Sequence, residues 1–248
     1  MAGIRLTLRI VAAVLGFGAI VLGALSKGSV LPEDSKFEPI LLIAAGSAAF
    51  IDAISGIAAS RARRTGLELE ISIEKTVIAS LISISRVTGT DIILLGGCVF
   101  EIRRRRWWSR TKMLKRLVRS RLSDSPQESA ITWRAGKGAI GEAWQRKKAV
   151  HRSWLAIARK HGEGQLSRAA FDRLPAKTQD GFEYEDFQTI VGKYSEILAV
   201  PILKNGRCIG VLAIDIPYEP TETRQHLDTK DVKEIAETCA SVLSNVLR

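Results

Sequence analysis

A few groups of residues in this 248-residue chain have types or spacings that chemistry could use. Gly136-x-Gly138-x-x-Gly141 has the spacing of a dinucleotide-binding glycine turn, where backbone amides cradle a pyrophosphate at a helix start. That chemistry needs a buried strand before the glycines and an acidic residue about 20 positions later. Only Ala130-Ile131-Thr132-Trp133 precedes them, and His161-Gly162-Glu163 falls near the later position with no strand leading in, so the glycines read as a turn that opens a short helix. Cys98, Cys208 and Cys239 lie far apart without metal-ligand spacing, so no metal site is expected, and an odd, sparse set suits a reducing compartment. His151 reads as an exposed histidine at a strand end. No Ser/His/Asp, Cys/His or paired-carboxylate arrangement has supporting context, so no catalytic residue is assigned and the chain is expected not to be an enzyme.

Charge gives a stronger signal. The chain has 37 Lys and Arg against 26 Asp and Glu, a net +11, and the first 60 residues contribute nothing to that excess. Most of it comes from residues 103–121, RRRRWWSRTKMLKRLVRSR, with ten basic residues and no acidic one. Such a run points to an acidic partner. Nucleic acid would use the cations for phosphates and Trp107 or Trp108 for stacking. A membrane surface would use Arg103, Arg104, Arg105, Arg106, Arg110 and Lys112 for anionic head groups, with Trp107 and Trp108 at the interface. A solvated β-hairpin with its tryptophans capping a core edge needs no partner at all. The membrane surface is the reading adopted, because the chain also carries an anchor, and each basic residue near an anionic leaflet is worth about 1 kcal/mol.

The anchor is read from residues 1–64. Ile10–Leu25 is uncharged and Pro39–Ala59 carries only Asp52; a bilayer core of about 30 Å takes roughly 20 helical residues, so the two runs form a pair of spans joined by a short polar segment. Basic residues flank the outer ends (Arg5, Arg9; Arg61, Arg63, Arg64), which places both termini in the cytoplasm and makes the chain a multi-pass protein of the cell membrane. The residues around Ala24-Leu25-Ser26 are a poor cleavage site for a signal peptide. Ala12, Gly16, Ala19 and Gly23 form a small-residue seam, and Asp52 is expected to meet a helix partner inside the membrane.

Residues 65–248 read as one cytoplasmic domain. A helix is expected from about Glu68 to Val87 with Ile71, Ile78, Leu81, Ile82 and Ser85 on one face, suited to pairing with a second copy. Asp91–Ile102 reads as a strand, with a bulge or close approach at Gly96-Gly97. Ala149–Ser153 reads as another strand. Ile197–Leu203 and Cys208–Ile216, joined across Asn205-Gly206, are the clearest hairpin of the chain. A closing helix spans Asp228–Leu247.

The order GKGAIG turn, short helix, strand AVHRS, variable segment, SEILAVPIL, Asn-Gly turn, CIGVLAIDIP and closing helix resembles the GAF domain family over residues 68–248. The resemblance implies an α+β fold: an antiparallel sheet with terminal helices on one face, and short helices and loops closing over a pocket on the other. It implies binding of a small ligand, or dimerisation, in a sensory or regulatory role. The variable segment Trp154–Tyr194 would be the lid, with Trp133, Trp154, Phe182 and Tyr184 as lining and Arg134 and Arg152 for an anionic ligand. The asparagine-lysine-phenylalanine-aspartate-glutamate motif of the cyclic-nucleotide-binding members is absent, the variable segment holds no cysteine for a bilin, and the three cysteines do not match the methionine-sulfoxide-reducing members. The ligand and any cofactor are therefore left unnamed. The expected partners are membrane lipid, a second copy of the chain and a signalling protein; nucleic acid is not expected. The alternative function is a ligand-gated membrane effector whose two spans oligomerise and perturb the bilayer.

Overall fold

A computed structural model describes residues 66–104, 110–161, 166–220 and 225–247. The two spans, Asp52, Arg105, Arg106, Trp107 and Trp108 lie outside the described residues. Two compact units divide the chain, Met1–Glu68 and Leu69–Arg248, and the second holds every described strand. Among the described residues no helix is long and apolar enough to cross a membrane.

The architecture is α+β. A helix α1 occupies residues 66–88, followed by a 3-10 turn at Ile92–Leu94 and strands β1 (Gly96–Arg104) and β2 (Lys112–Arg121). Next come α2 (Gly138–Arg146), β3 (Val150–Ser153) and four short helices, α3 (Leu155–His161), α4 (Arg168–Asp172), α5 (Ala176–Gln179) and α6 (Tyr184–Ile190). The chain closes with β4 (Tyr194–Lys204), β5 (Arg207–Pro217) and α7 (Lys230–Val246). The five strands form one antiparallel sheet in the order β2-β1-β5-β4-β3.

β4 and β5 run through the middle, so both faces of each are covered, and their aliphatic runs divide by alternation. Leu198, Val200, Ile202, Leu212 and Ile214 point to the face covered by α1 and α7. Ile197, Ala199, Val211 and Ala213 point to the face covered by α2 and the short helices. Asn205 and Gly206 have φ of 51° and 72°, both left-handed, as a two-residue hairpin turn requires.

One local expectation is corrected and two are narrowed. The start of the expected strand at Asp91 is a 3-10 turn, because the Asp91 carboxylate accepts from the Ile93 amide and turns the chain, leaving β1 to begin at Gly96. The register shift in β1 lies between Val99 and Phe100 and not at the glycine pair. Of the bulge or close approach expected at Gly96 and Gly97, the structure shows the close approach: a Cβ on the first would meet the Arg121 guanidinium, and on the second the Cγ1 of Val77. In α1 the buried face is Ile73, Val77, Ser80, Leu81 and Ile84, while Ile71, Ile78 and Ile82 face solvent. Apolar residues occupy more than one face of this helix, so periodicity alone does not select the face that packs.

Candidate functional site

The residues expected to line a ligand site converge on the α2 side of the sheet. The glycine turn is built by its own hydrogen bonds: the Gly136 amide donates to the Gly141 carbonyl at 2.9 Å, and the Gly138 amide to the Asp180 carbonyl at 2.7 Å. Gly138 has a φ of 61°, and any Cβ there would strike Phe182 and Trp133. The turn thus brings residues 134–138 against the loop before α6, which the glycine spacing alone does not indicate.

Trp133, Trp154 and Phe182 are buried together. Phe182 packs edge-on against both indoles, with centroids 5.8 Å and 5.9 Å away, and Trp154 continues to Phe187 at 5.5 Å. Edge-to-face contacts of this kind add stability beyond the buried area. The indole N–H groups of Trp133 and Trp154 are both buried with no acceptor. Tyr184 is tied within the variable segment: its hydroxyl donates to the Leu166 carbonyl at 2.9 Å and accepts from Gln188.

The two arginines are paired with carboxylates. Arg134 is exposed and pairs with Glu183. Arg152, half-buried, pairs with Glu142 and lies 3.3 Å from Asp180. Burial holds the Asp180 carboxyl above its ordinary range, with Arg152 pulling the other way and Glu142 adding to the rise. Nothing in the sequence singles out Lys137. It is buried, with its ammonium 2.7 Å from Glu183, ion-paired to Asp186, and 5.9 Å from the Phe182 ring. The hydrogen bond from Lys137 lowers the Glu183 carboxyl to about 2.

His151 differs from its expected exposure. Its side chain is 11% exposed, and Nε2 sits 2.9 Å from Oε2 of the fully buried Glu196. Glu196 also accepts from the amides of His226 (2.7 Å) and Leu227 (3.0 Å), clamping the loop before α7 to β3 and β4. No sequence signal could reveal this, since the partners come from three distant segments.

The basic run divides in two. Arg116 pairs with Glu128, Arg119 donates to the Pro126 carbonyl at 2.5 Å, and Arg121 pairs with Asp215, its side chain 2% exposed. These three hold the fold. Arg104, Arg110 and Lys112 are exposed, as is Arg103, whose Nε donates to Glu101 at 2.5 Å. Among the described residues no group of His, Cys, Asp and Glu is placed to hold a metal. Burial raises the thiols of Cys98, to about 12, and of Cys208 and Cys239.

On the opposite side of the sheet, α1 and α7 lie together, with the Cys239 thiol 3.8 Å from the Thr76 carbonyl. Ile71 (41% exposed), Ile78 (36%), Ile82 (37%) and Val242 of α7 (46%) leave these two helices with apolar residues in solvent.

No protein-family model and no curated protein matches the chain. Solved structures do. A GAF domain from an Acinetobacter phosphoenolpyruvate-protein phosphotransferase shares 16% identity and a TM-score of 0.41, covering 77% of this chain and 92% of its own. A type II free methionine-R-sulfoxide reductase from Thermoplasma acidophilum shares 11% identity and a TM-score of 0.43, covering 72% and 94%. A fragment of a methyl-accepting chemotaxis protein shares 13% identity and a TM-score of 0.42, covering 73% and 93%. GAF domains recur among the similar structures. The expectation that the chain is not an enzyme is overturned here, since free methionine-R-sulfoxide reductases recur among the structures similar to it.

Proposed function

We propose that the chain is a sensory or regulatory protein whose GAF-like domain takes a small ligand on the α2 side of the sheet. Residues 1–64 anchor it at the cytoplasmic face of the membrane, and the exposed cations of the β1–β2 hairpin rest on anionic lipid. The observation that carries the ligand reading is the pair of buried indole N–H groups, on Trp133 and Trp154, that have no acceptor. An indole nitrogen can only donate, and leaving such a donor buried and unmet costs about 1–3 kcal/mol. A ligand with carbonyl, carboxylate or phosphoryl oxygens supplies the missing acceptors. Glu183 and Asp186 then belong to the lid that must move to admit it, and Lys137 is the residue they latch onto.

The signal would leave through α1 and α7. Both pack on the same sheet face, and their exposed isoleucines and valine offer a surface to a second copy of the chain. A signalling partner would read the change in that pairing.

The full-length chain purified in neutral detergent tests this by native mass spectrometry. A small molecule co-purifies with the wild type and is lost from Trp133→Phe and Trp154→Phe, which keep an aromatic ring but remove the N–H. Retention of the same molecule by both variants would show that the indoles do not hold it.

A further inference from the structure

Separate stretches of sequence bring their cations around one groove of about 580 Å³. Arg103 and Arg104 come from the end of β1, Lys112 from the start of β2, Lys147 from the residue after α2, and Arg207 from the first position of β5. The lining carboxylate, Glu101, already receives Arg103 Nε at 2.5 Å, which leaves Arg104, Lys112, Lys147 and Arg207 facing the groove without an offsetting carboxylate among its lining residues. Trp144 supplies a planar wall.

The backbone fixes this arrangement. Lys147 ends α2 in the left-handed conformation, with φ of 53°, and its ammonium donates to the Gly206 carbonyl at 3.0 Å. That bond ties the end of α2 to the β4–β5 turn, whose two left-handed residues, Asn205 and Gly206, deliver Arg207 to the same rim. Like charges gathered in a concave site raise the local potential and draw in an anion of matching charge. Guanidinium groups add forked hydrogen bonds that suit phosphoryl oxygens.

We propose that this groove binds a phosphoryl-bearing ligand with two or more negative charges, clasped by Arg104, Lys112, Lys147 and Arg207 and backed by Trp144. It rests on and deepens the reading of the basic hairpin as a cationic surface for an anionic partner, and it adds Lys147 and Arg207, which a contact confined to the hairpin does not need. The phosphoryl group comes either from a soluble metabolite or from a lipid head group.

Calorimetric titration of the full-length chain in neutral detergent with inorganic pyrophosphate tests the site. Saturable binding is expected, weakened roughly tenfold or more by Lys147→Gln with Arg207→Gln, and kept within about threefold by Lys147→Arg. Lys177→Gln with Lys230→Gln removes the same charge elsewhere and should leave affinity within about twofold; thermal melts confirm that each variant folds. No saturable binding, or an equal loss in the control pair, overturns the site. Loss with Arg110→Gln and Lys115→Gln but not with Lys147→Gln and Arg207→Gln overturns the groove while leaving the surface reading of the hairpin intact. Soluble dihexanoyl phosphatidic acid, a head group whose phosphomonoester can carry two negative charges, then serves as competitor against pyrophosphate. Displacement assigns the site to head groups, persistence assigns it to a soluble ligand, and either result supports it.

Discussion

Single side chains carry much of what holds the lid and the sheet ends together. Glu196 is fully buried and accepts three hydrogen bonds, two of them from the amides of His226 and Leu227. Glu196→Ala should cost about 3 kcal/mol or more in urea unfolding, because the amides lose their partner inside the protein. Faster hydrogen exchange at those two amides would locate the loss. Glu183 provides a pH-dependent test. Its carboxyl is lowered to about 2 by the hydrogen bond from Lys137, so its contribution is present above its ordinary value of 4.5 and is lost as pH falls through about 2. Glu183 is half exposed, and screening keeps the effect near 1 kcal/mol or below. Wild type should therefore lose more stability between pH 6 and pH 3 than Glu183→Gln does; equal slopes would remove the pair from the account. The thiols make a third case: with Cys98 raised to about 12 by burial, alkylation of the folded chain at pH 8 should be slow at this residue compared with the unfolded chain.

At the scale of elements, local signals are legible in the sequence and long-range ones are not. The Asn205-Gly206 turn and its two strands can be read because the turn chemistry lies within a few residues. The closing helix can be read from its period, and its start is capped by the Thr229 hydroxyl accepting from the Val232 amide. The packed face of α1 escapes such a reading because Ile71, Ile78 and Ile82 have as good a helical spacing as Ile73, Val77, Leu81 and Ile84, and only the sheet decides between them. The aromatic candidates Trp133, Trp154 and Phe182 do come together, whereas the Glu196 clamp, the Lys137 pairings and the basic groove draw on segments too distant for any spacing rule. The contact between α1 and β1 gives a test at this scale. Gly97→Ala places a methyl group against the stiff, buried Val77, so a loss of about 1–3 kcal/mol in urea unfolding is expected.

For the whole molecule, the question is how a change on one face of the sheet reaches the other. β4 and β5 belong to both layers, and Glu196 at the start of β4 holds both β3 and the loop that leads into α7. A displacement on the α2 side therefore has a short covalent and hydrogen-bonded route to the helix pair. If α1 and α7 meet a second copy, Ile78→Glu with Ile82→Glu should dissociate the full-length dimer in neutral detergent, as read by sedimentation, while leaving the thermal melt of the domain nearly unchanged. A wild type that sediments as a monomer would end that account. The sheet order carries one more consequence. β2 forms an edge, and apart from the bridge between Leu114 and Trp133 its outer backbone has no strand beside it among the described residues. A largely open edge invites a strand from another molecule, yet this one presents the exposed Lys112 and Lys115, so a second copy would bring cations against cations. The basic run thus guards the protein against aggregation by sheet extension, whatever else it binds.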